Sequence, residues 1–201
     1  MATLARRAVG GGPIARDMIR VVLTGSESTG KTTLAVELAR HYDAALVPEF
    51  VREFAVAKGG VIEFSDHGPI ARGQMALEDA QIALGRPVVI QDTDLLSTVV
   101  YCRHYFGRAP DWIVDEAAAR VPDLYLLCEI DVPWIADGVR DRGHMRQEMQ
   151  EMFRDAALSS GAAVAIIGGD GNERLERAID AVDALLLAQS PDAAAEEDSD
   201  S

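Results

Sequence analysis

The sequence predicts a three-layer α/β domain, a parallel β-sheet covered by helices on both faces. Three observations predict it. Short apolar runs rich in β-branched residues recur along the chain, and segments of helical period separate them. The runs are apolar nearly throughout rather than alternating, as expected of strands buried on both sides. Ligands of such sheets bind beyond the carboxyl ends of the strands. The residues that follow each run therefore carry the functional reading.

The 201 residues suffice for one domain with a sizeable core. A net charge of −14 argues against nucleic acid or an anionic membrane as the main partner. No stretch has the length and apolarity of a membrane span. Residues 1–17 lack the apolar centre of a signal peptide and are expected to form a flexible leader. Residues 189–201 are expected to form a disordered, solvated acidic tail. The structured domain is expected over 18–188. Cys102 and Cys128 lie in apolar periodic segments and match no metal spacing. They read as buried thiols of a reducing compartment, which points to the cytoplasm.

The first strand is read in "MIRVVLTG", and "KTTLAVELARHY" has the period of the helix that follows. Between them Gly25, Ser26, Glu27, Ser28, Thr29, Gly30, Lys31 and Thr32 match G-x-x-x-x-G-K-[ST]. Gly25 and Gly30 allow a tight turn. Backbone amides and the first helical turn, which includes Thr33, can then cradle nucleotide phosphates. Lys31 supplies a point charge to the β- and γ-phosphates, and Thr32 a hydroxyl for Mg²⁺. ATP and Mg²⁺ are the expected cofactors.

The second strand, "AALVPEF", places Glu49 at its end with Arg52 one turn on. A carboxylate there can accept the proton of a substrate hydroxyl. Arg52 would hold it or bind a product phosphate; a plain ion pair is the competing explanation. The long helical segment "DHGPIARGQMALEDAQIAL" follows, from which Arg72, Gln74 and Glu78 could reach a substrate. The third strand closes on Asp92 in "VVIQDTDLL", as a metal-orienting acid does. Asp94 competes for that role. It could instead cap the next helix, "TDLLSTVVYCRHYF", or bind a sugar hydroxyl.

After the fourth strand, "DLYLLCEI", come Trp134, Arg140, Arg142 and Arg146 on a segment holding Gly138 and Gly143. Basic residues on a glycine-bearing segment suit a lid that closes on phosphates, with Arg140 the foremost among them. The helix "RQEMQEMFRDAALSS" leads to a fifth strand, "AAVAIIGG". Its Gly168-Gly169 bend opens the last helix, "NERLERAIDAVDALLLA", and could line a nucleotide base.

With these strand ends in place, the chain resembles the ribosylnicotinamide kinase domain of NadR-type proteins and the stand-alone NadR-like P-loop ATPases. The resemblance runs from about residue 19 to 187. It rests on "GSESTGKTTL", "VPEFVREF", "IARGQMALED", "DTDLLSTVVY", "PDLYLLCEIDVPWIADGVRDRG" and "GGDGNERLERAI", in that order. It implies the P-loop NTPase fold of the nucleoside/nucleotide kinase group, with five parallel strands ordered 2-3-1-4-5. It also implies transfer of the γ-phosphoryl of ATP-Mg²⁺ to the 5′-hydroxyl of nicotinamide riboside or a related nucleoside. Lys31, Glu49, Asp92 and Arg140 then take the catalytic positions, Thr32 and Asp92 the metal, and Glu49, Arg52, Asp94 and Trp134 the substrate. The adenylyltransferase and DNA-binding portions of bifunctional members have no counterpart in these motifs, and neither activity is expected. Family members that bind a pyridine ring carry an aromatic just before the strand-two Glu, where this chain has Pro48. Phe50, Trp134 or Tyr101 could supply the stacking face instead. A kinase for another alcohol shares every motif. A nucleotide-binding regulatory module shares the ATP side but does not need the lid and two strand-end carboxylates.

Overall fold

The computed structural model describes residues 18–131 and 145–189. The leader, most of the acidic tail, and the segment holding Trp134, Arg140 and Arg142 lie outside the described residues. The five strands are β1 (Ile19–Thr24), β2 (Ala45–Val47), β3 (Val88–Asp92), β4 (Leu124–Cys128) and β5 (Ala163–Ile167). All neighbouring pairs are parallel, in the order β2-β3-β1-β4-β5. The α-helices of the described residues are α1 (Lys31–His41), α2 (Phe50–Lys58), α3 (His67–Ile82), α4 (Leu95–Phe106), α5 (Asp111–Ala119), α6 (Arg146–Ser159) and α7 (Gly171–Ala188).

The apolar runs become strands covered on both faces. Val21 and Leu23 of β1 pack with Leu34 and Leu38 of α1 and with Ala178 and Val182 of α7. Val22, pointing the other way, packs with Tyr125 of β4 and Ala157 of α6. A side-chain period of two thus sends apolar groups into two separate cores. β1, β3 and β4 follow the rule. β5 departs from it, because it is the edge strand and Ile166 is 54% exposed.

The five expected helices form where their periodicity lies. α2 and α5 are additional. Each has nine residues and buries one apolar residue, Ala55 and Ile113 respectively. Nine residues make only about two and a half turns, too few periods for a helical pattern to stand out. Both cysteines are free and buried. Burial pushes the Cys102 thiol up to about 12 and the Cys128 thiol up to about 11, so both stay protonated. Among the described residues no helix is long and apolar enough to cross a membrane.

Candidate active site

The loop between β1 and α1 turns through three residues of positive φ: Gly25 (124°), Ser28 (53°) and Gly30 (79°). At Gly25 a Cβ would stand 2.8 Å from the carbonyl oxygen of Cys128, so the loop can lie against β4 only without one. Gly30 caps α1 in the left-handed conformation. Thr29 Oγ1 donates to Ser26 O at 2.9 Å. Lys31 is buried, and its Nζ donates to Gly25 O at 3.0 Å and Ser26 O at 2.6 Å. The ammonium is thereby held at the centre of the loop.

Three buried side chains from later in the chain clamp this loop. Arg146, the first residue of α6, donates from Nε to Glu27 O at 3.1 Å and from Nη2 to Ser28 O at 2.9 Å. It was expected on a lid; instead it is fixed beneath the loop, because two backbone carbonyls hold its guanidinium. Gln150, one turn further, accepts from Ser26 N at 2.9 Å and donates to Cys128 O at 3.0 Å. Arg174 of α7 donates to Thr29 O, to Gly169 O at 2.8 Å and to the Asp131 carboxylate. The Gly168-Gly169 bend is thus tied to the phosphate loop through Arg174. Gln150 and Arg174 escaped sequence reasoning. Polar residues at helical spacing look like a solvated face, and only burial (3% and 5% exposed) sets these two apart.

At the end of β3 the chain passes through Thr93, a β-branched residue at φ 69°, strain of about 1–3 kcal/mol held by the surrounding structure. Its N–H donates to Leu23 O at 3.1 Å. This bend separates the two competing aspartates. Asp92 accepts from Thr32 Oγ1 at 2.6 Å through Oδ2. Its other oxygen, Oδ1, is buried without a partner among the described residues. Burial first, and the Glu49 charge second, raise the Asp92 carboxyl above its ordinary range. Asp94 instead caps α4, accepting from Ser97 N at 3.3 Å, and takes the Tyr125 hydroxyl at 2.6 Å. Burial pushes its carboxyl up to about 6.

Glu49 follows β2 as the cap residue of α2 and is 8% exposed. Arg52 Nε meets its Oε2 at 2.6 Å. Glu49, Thr93 and Asp94 open onto a cavity of about 260 Å³. Its aromatic faces are His67, Tyr101, Tyr105 and Phe106, and Ile62 and Ile70 add apolar wall. Tyr101 and Tyr105 stack at 6.1 Å with their planes 11° apart. No Lys or Arg is among the described residues lining the cavity. Gln74 reaches the wall, where its amide accepts from Phe50 N at 2.9 Å and donates to Pro48 O at 3.3 Å.

Three expectations fail here. Glu78 binds Arg20 at 2.9 Å and Arg120 at 3.2 Å, accepts from Gln91 Nε2 at 3.3 Å, and does not line the cavity. Arg72 lies over the Trp112 ring at 5.4 Å. Phe50 offers no stacking face to the cavity: its ring fills the space that a Cβ at Gly73 would occupy, against α3. Tyr101 does line the cavity, together with His67 of α3 and Tyr105 and Phe106 of α4.

The Mg²⁺ that this loop type implies can be tested on Asp92. A buried carboxylate oxygen without a partner, beside a threonine hydroxyl held at 2.6 Å, fits a cation that takes few protein oxygens and several phosphate or water ones.

A family model described as AAA domain (AAA_28) matches residues 20–174. The chain is 31% identical over 142 residues to the trifunctional NAD biosynthesis/regulator protein NadR of Escherichia coli strain K12, covering 66% of this chain and 34% of that protein. It is 32% identical over 130 residues to the NadR of Salmonella typhimurium strain LT2, covering 61% and 31%. The chain therefore spans about a third of the length of these curated relatives. Among solved structures it resembles a NadR protein in complex with NR, with a TM-score of 0.68 and 26% identity, over 84% of this chain and 51% of that one. A thymidylate kinase from Ehrlichia chaffeensis matches with a TM-score of 0.59 at 17% identity, over 84% and 98%, and shares the fold.

Proposed function

The chain belongs to the AAA domain family, and from that premise we propose that it is an ATP- and Mg²⁺-dependent kinase. It transfers a phosphoryl group to the 5′-hydroxyl of nicotinamide riboside or a related nucleoside. The observation that carries this reading is the convergence of two sites on one pair of carboxylates. Asp92 is joined to Thr32 of the phosphate loop, and Glu49, whose charge acts on Asp92, lines the cavity. A phosphate donor and a hydroxyl acceptor would thus meet at Glu49 and Asp92. Among the described residues the cavity's lining carries carboxylates and no Lys or Arg, which favours a neutral or cationic alcohol over a nucleoside monophosphate. The NR-bound relative and the NadR likeness support the pyridine nucleoside.

In this reading the amides of residues 27–33 hold the ATP phosphates, and Lys31 sets its charge against the oxygens of the transferred group. Thr32 and Asp92 would hold Mg²⁺, which neutralises phosphate charge. Glu49 or Asp92 takes the proton as the acceptor oxygen bonds to the γ-phosphorus and ADP departs. Arg52 holds Glu49 in place, and Asp94 binds the sugar hydroxyls beside it. Arg140 and Trp134 are assigned to lid and substrate on the resemblance alone, and 18–188 is taken as the kinase unit.

ATP consumption measured with and without a panel of nucleosides tests this. Acceptor-dependent ADP formation is expected, and Lys31→Ala should abolish it with the circular dichroism of the fold unchanged. Appreciable turnover in that variant, or hydrolysis indifferent to every acceptor, would overturn the assignment.

A further inference from the structure

The cavity contains one ring whose hydrogen bonding is half used. His67 is the first residue of α3 and is 5% exposed. Its Nδ1 lies 3.0 Å from Glu63 O, a carbonyl that can only accept, so Nδ1 carries the proton. Phe106 stands edge-on to the ring at 5.4 Å and 79°, and Phe64 lies at 6.5 Å, so the ring cannot turn without displacing them. Burial lowers the imidazole pKa, which keeps the ring neutral. Nε2 then holds a lone pair. It makes no hydrogen bond to a described residue, and it is not sealed in the packing as His104 Nε2 is. With His67 in the cavity wall, that lone pair opens onto the cavity.

We propose that His67 is the specificity residue for the ring end of the acceptor: Nε2 accepts a hydrogen bond from an amide N–H there and disfavours a carboxylate in its place. This rests on the kinase reading above. The reasoning is one of unequal cost. An amide donor satisfies Nε2, whereas a carboxylate brings only acceptors to a fixed acceptor and leaves both unpaired and desolvated. For a carboxylate to pair with the ring, Nε2 would have to take up a proton, against the burial that disfavours the charged imidazole.

The test compares two pyridine nucleosides, one with a ring carboxamide and one with the corresponding carboxylate, by kcat/KM in the full chain with ATP and Mg²⁺. The wild type should favour the amide by about tenfold or more. His67→Phe keeps a ring against Phe106 and removes the lone pair. It should raise KM for the amide, leave kcat within about threefold, and erase most of the preference. His67→Leu carries the same expectation if the Phe variant does not fold, as judged by its unfolding transition. His67→Gln, which offers an amide oxygen, should restore part of the preference. Equal use of both nucleosides by the wild type, or an unchanged ratio in a folded apolar variant, overturns this role and leaves the kinase reading standing. Transfer to neither nucleoside by the wild type also overturns this role, and the kinase reading then falls only if the wider nucleoside panel gives no acceptor-dependent turnover.

Discussion

Gln150→Leu isolates the two buried hydrogen bonds that fasten the phosphate loop to β4. Gln150 accepts from Ser26 N at 2.9 Å and donates to Cys128 O at 3.0 Å, and both partner residues are fully buried. Leucine has nearly the same reach, so the packing change is small. It leaves one N–H and one C=O in the interior without partners. Each orphan costs about 1–3 kcal/mol, which puts the loss at about 2–6 kcal/mol. At a urea dependence of about 2 kcal/mol per molar, the unfolding midpoint should fall by about 1–3 M. Equilibrium urea unfolding followed by circular dichroism reads this directly. A midpoint within about 0.2 M of the wild type, with an unchanged slope, would refute the claim that these bonds hold the loop.

Asp92→Asn should cut kcat by about a hundredfold or more and raise the Mg²⁺ concentration for half-maximal rate, while the urea midpoint holds or rises because a buried carboxylate is gone. Wild-type turnover at limiting Mg²⁺ would rule Asp92 out of the metal site. Asp94 is ionised only above about pH 6, so acceptor kcat/KM should fall as pH drops through that value, and Asp94→Asn should flatten that limb. Since the folded pKa lies above the unfolded one, the wild type should also gain stability relative to Asp94→Asn as pH falls from above 6 towards about 4. A parallel pH dependence in the two proteins would contradict this. Arg174→Met strips donors from Thr29 O and Gly169 O and a partner from the partly exposed Asp131. A destabilisation of about 2–3 kcal/mol is expected by urea unfolding, together with a higher KM for ATP.

Sequence alone determined the layers, the strand positions, the phosphate loop and the carboxylates that close β2 and β3. These follow from local rules. A strand buried on both faces must be apolar throughout, and a loop that wraps phosphate needs glycine where a Cβ would collide, as Gly25 does with Cys128. The same local rules left Asp92 and Asp94 interchangeable, since two aspartates one residue apart differ in nothing that periodicity can register. Tertiary structure separated them through the strained Thr93 bend, which gives Asp92 to Thr32 and Asp94 to Tyr125. It also moved Arg146 from lid to clamp and Glu78 from substrate pocket to ion pair. It brought Gln150 and Arg174 beneath a loop more than a hundred residues away in sequence. It placed the cavity's rings on α3 and α4, where a neighbouring Pro48 could not have announced them. Each of those outcomes depends on which long-range partner a polar side chain meets when it is buried, and burial is a property of the packed layers.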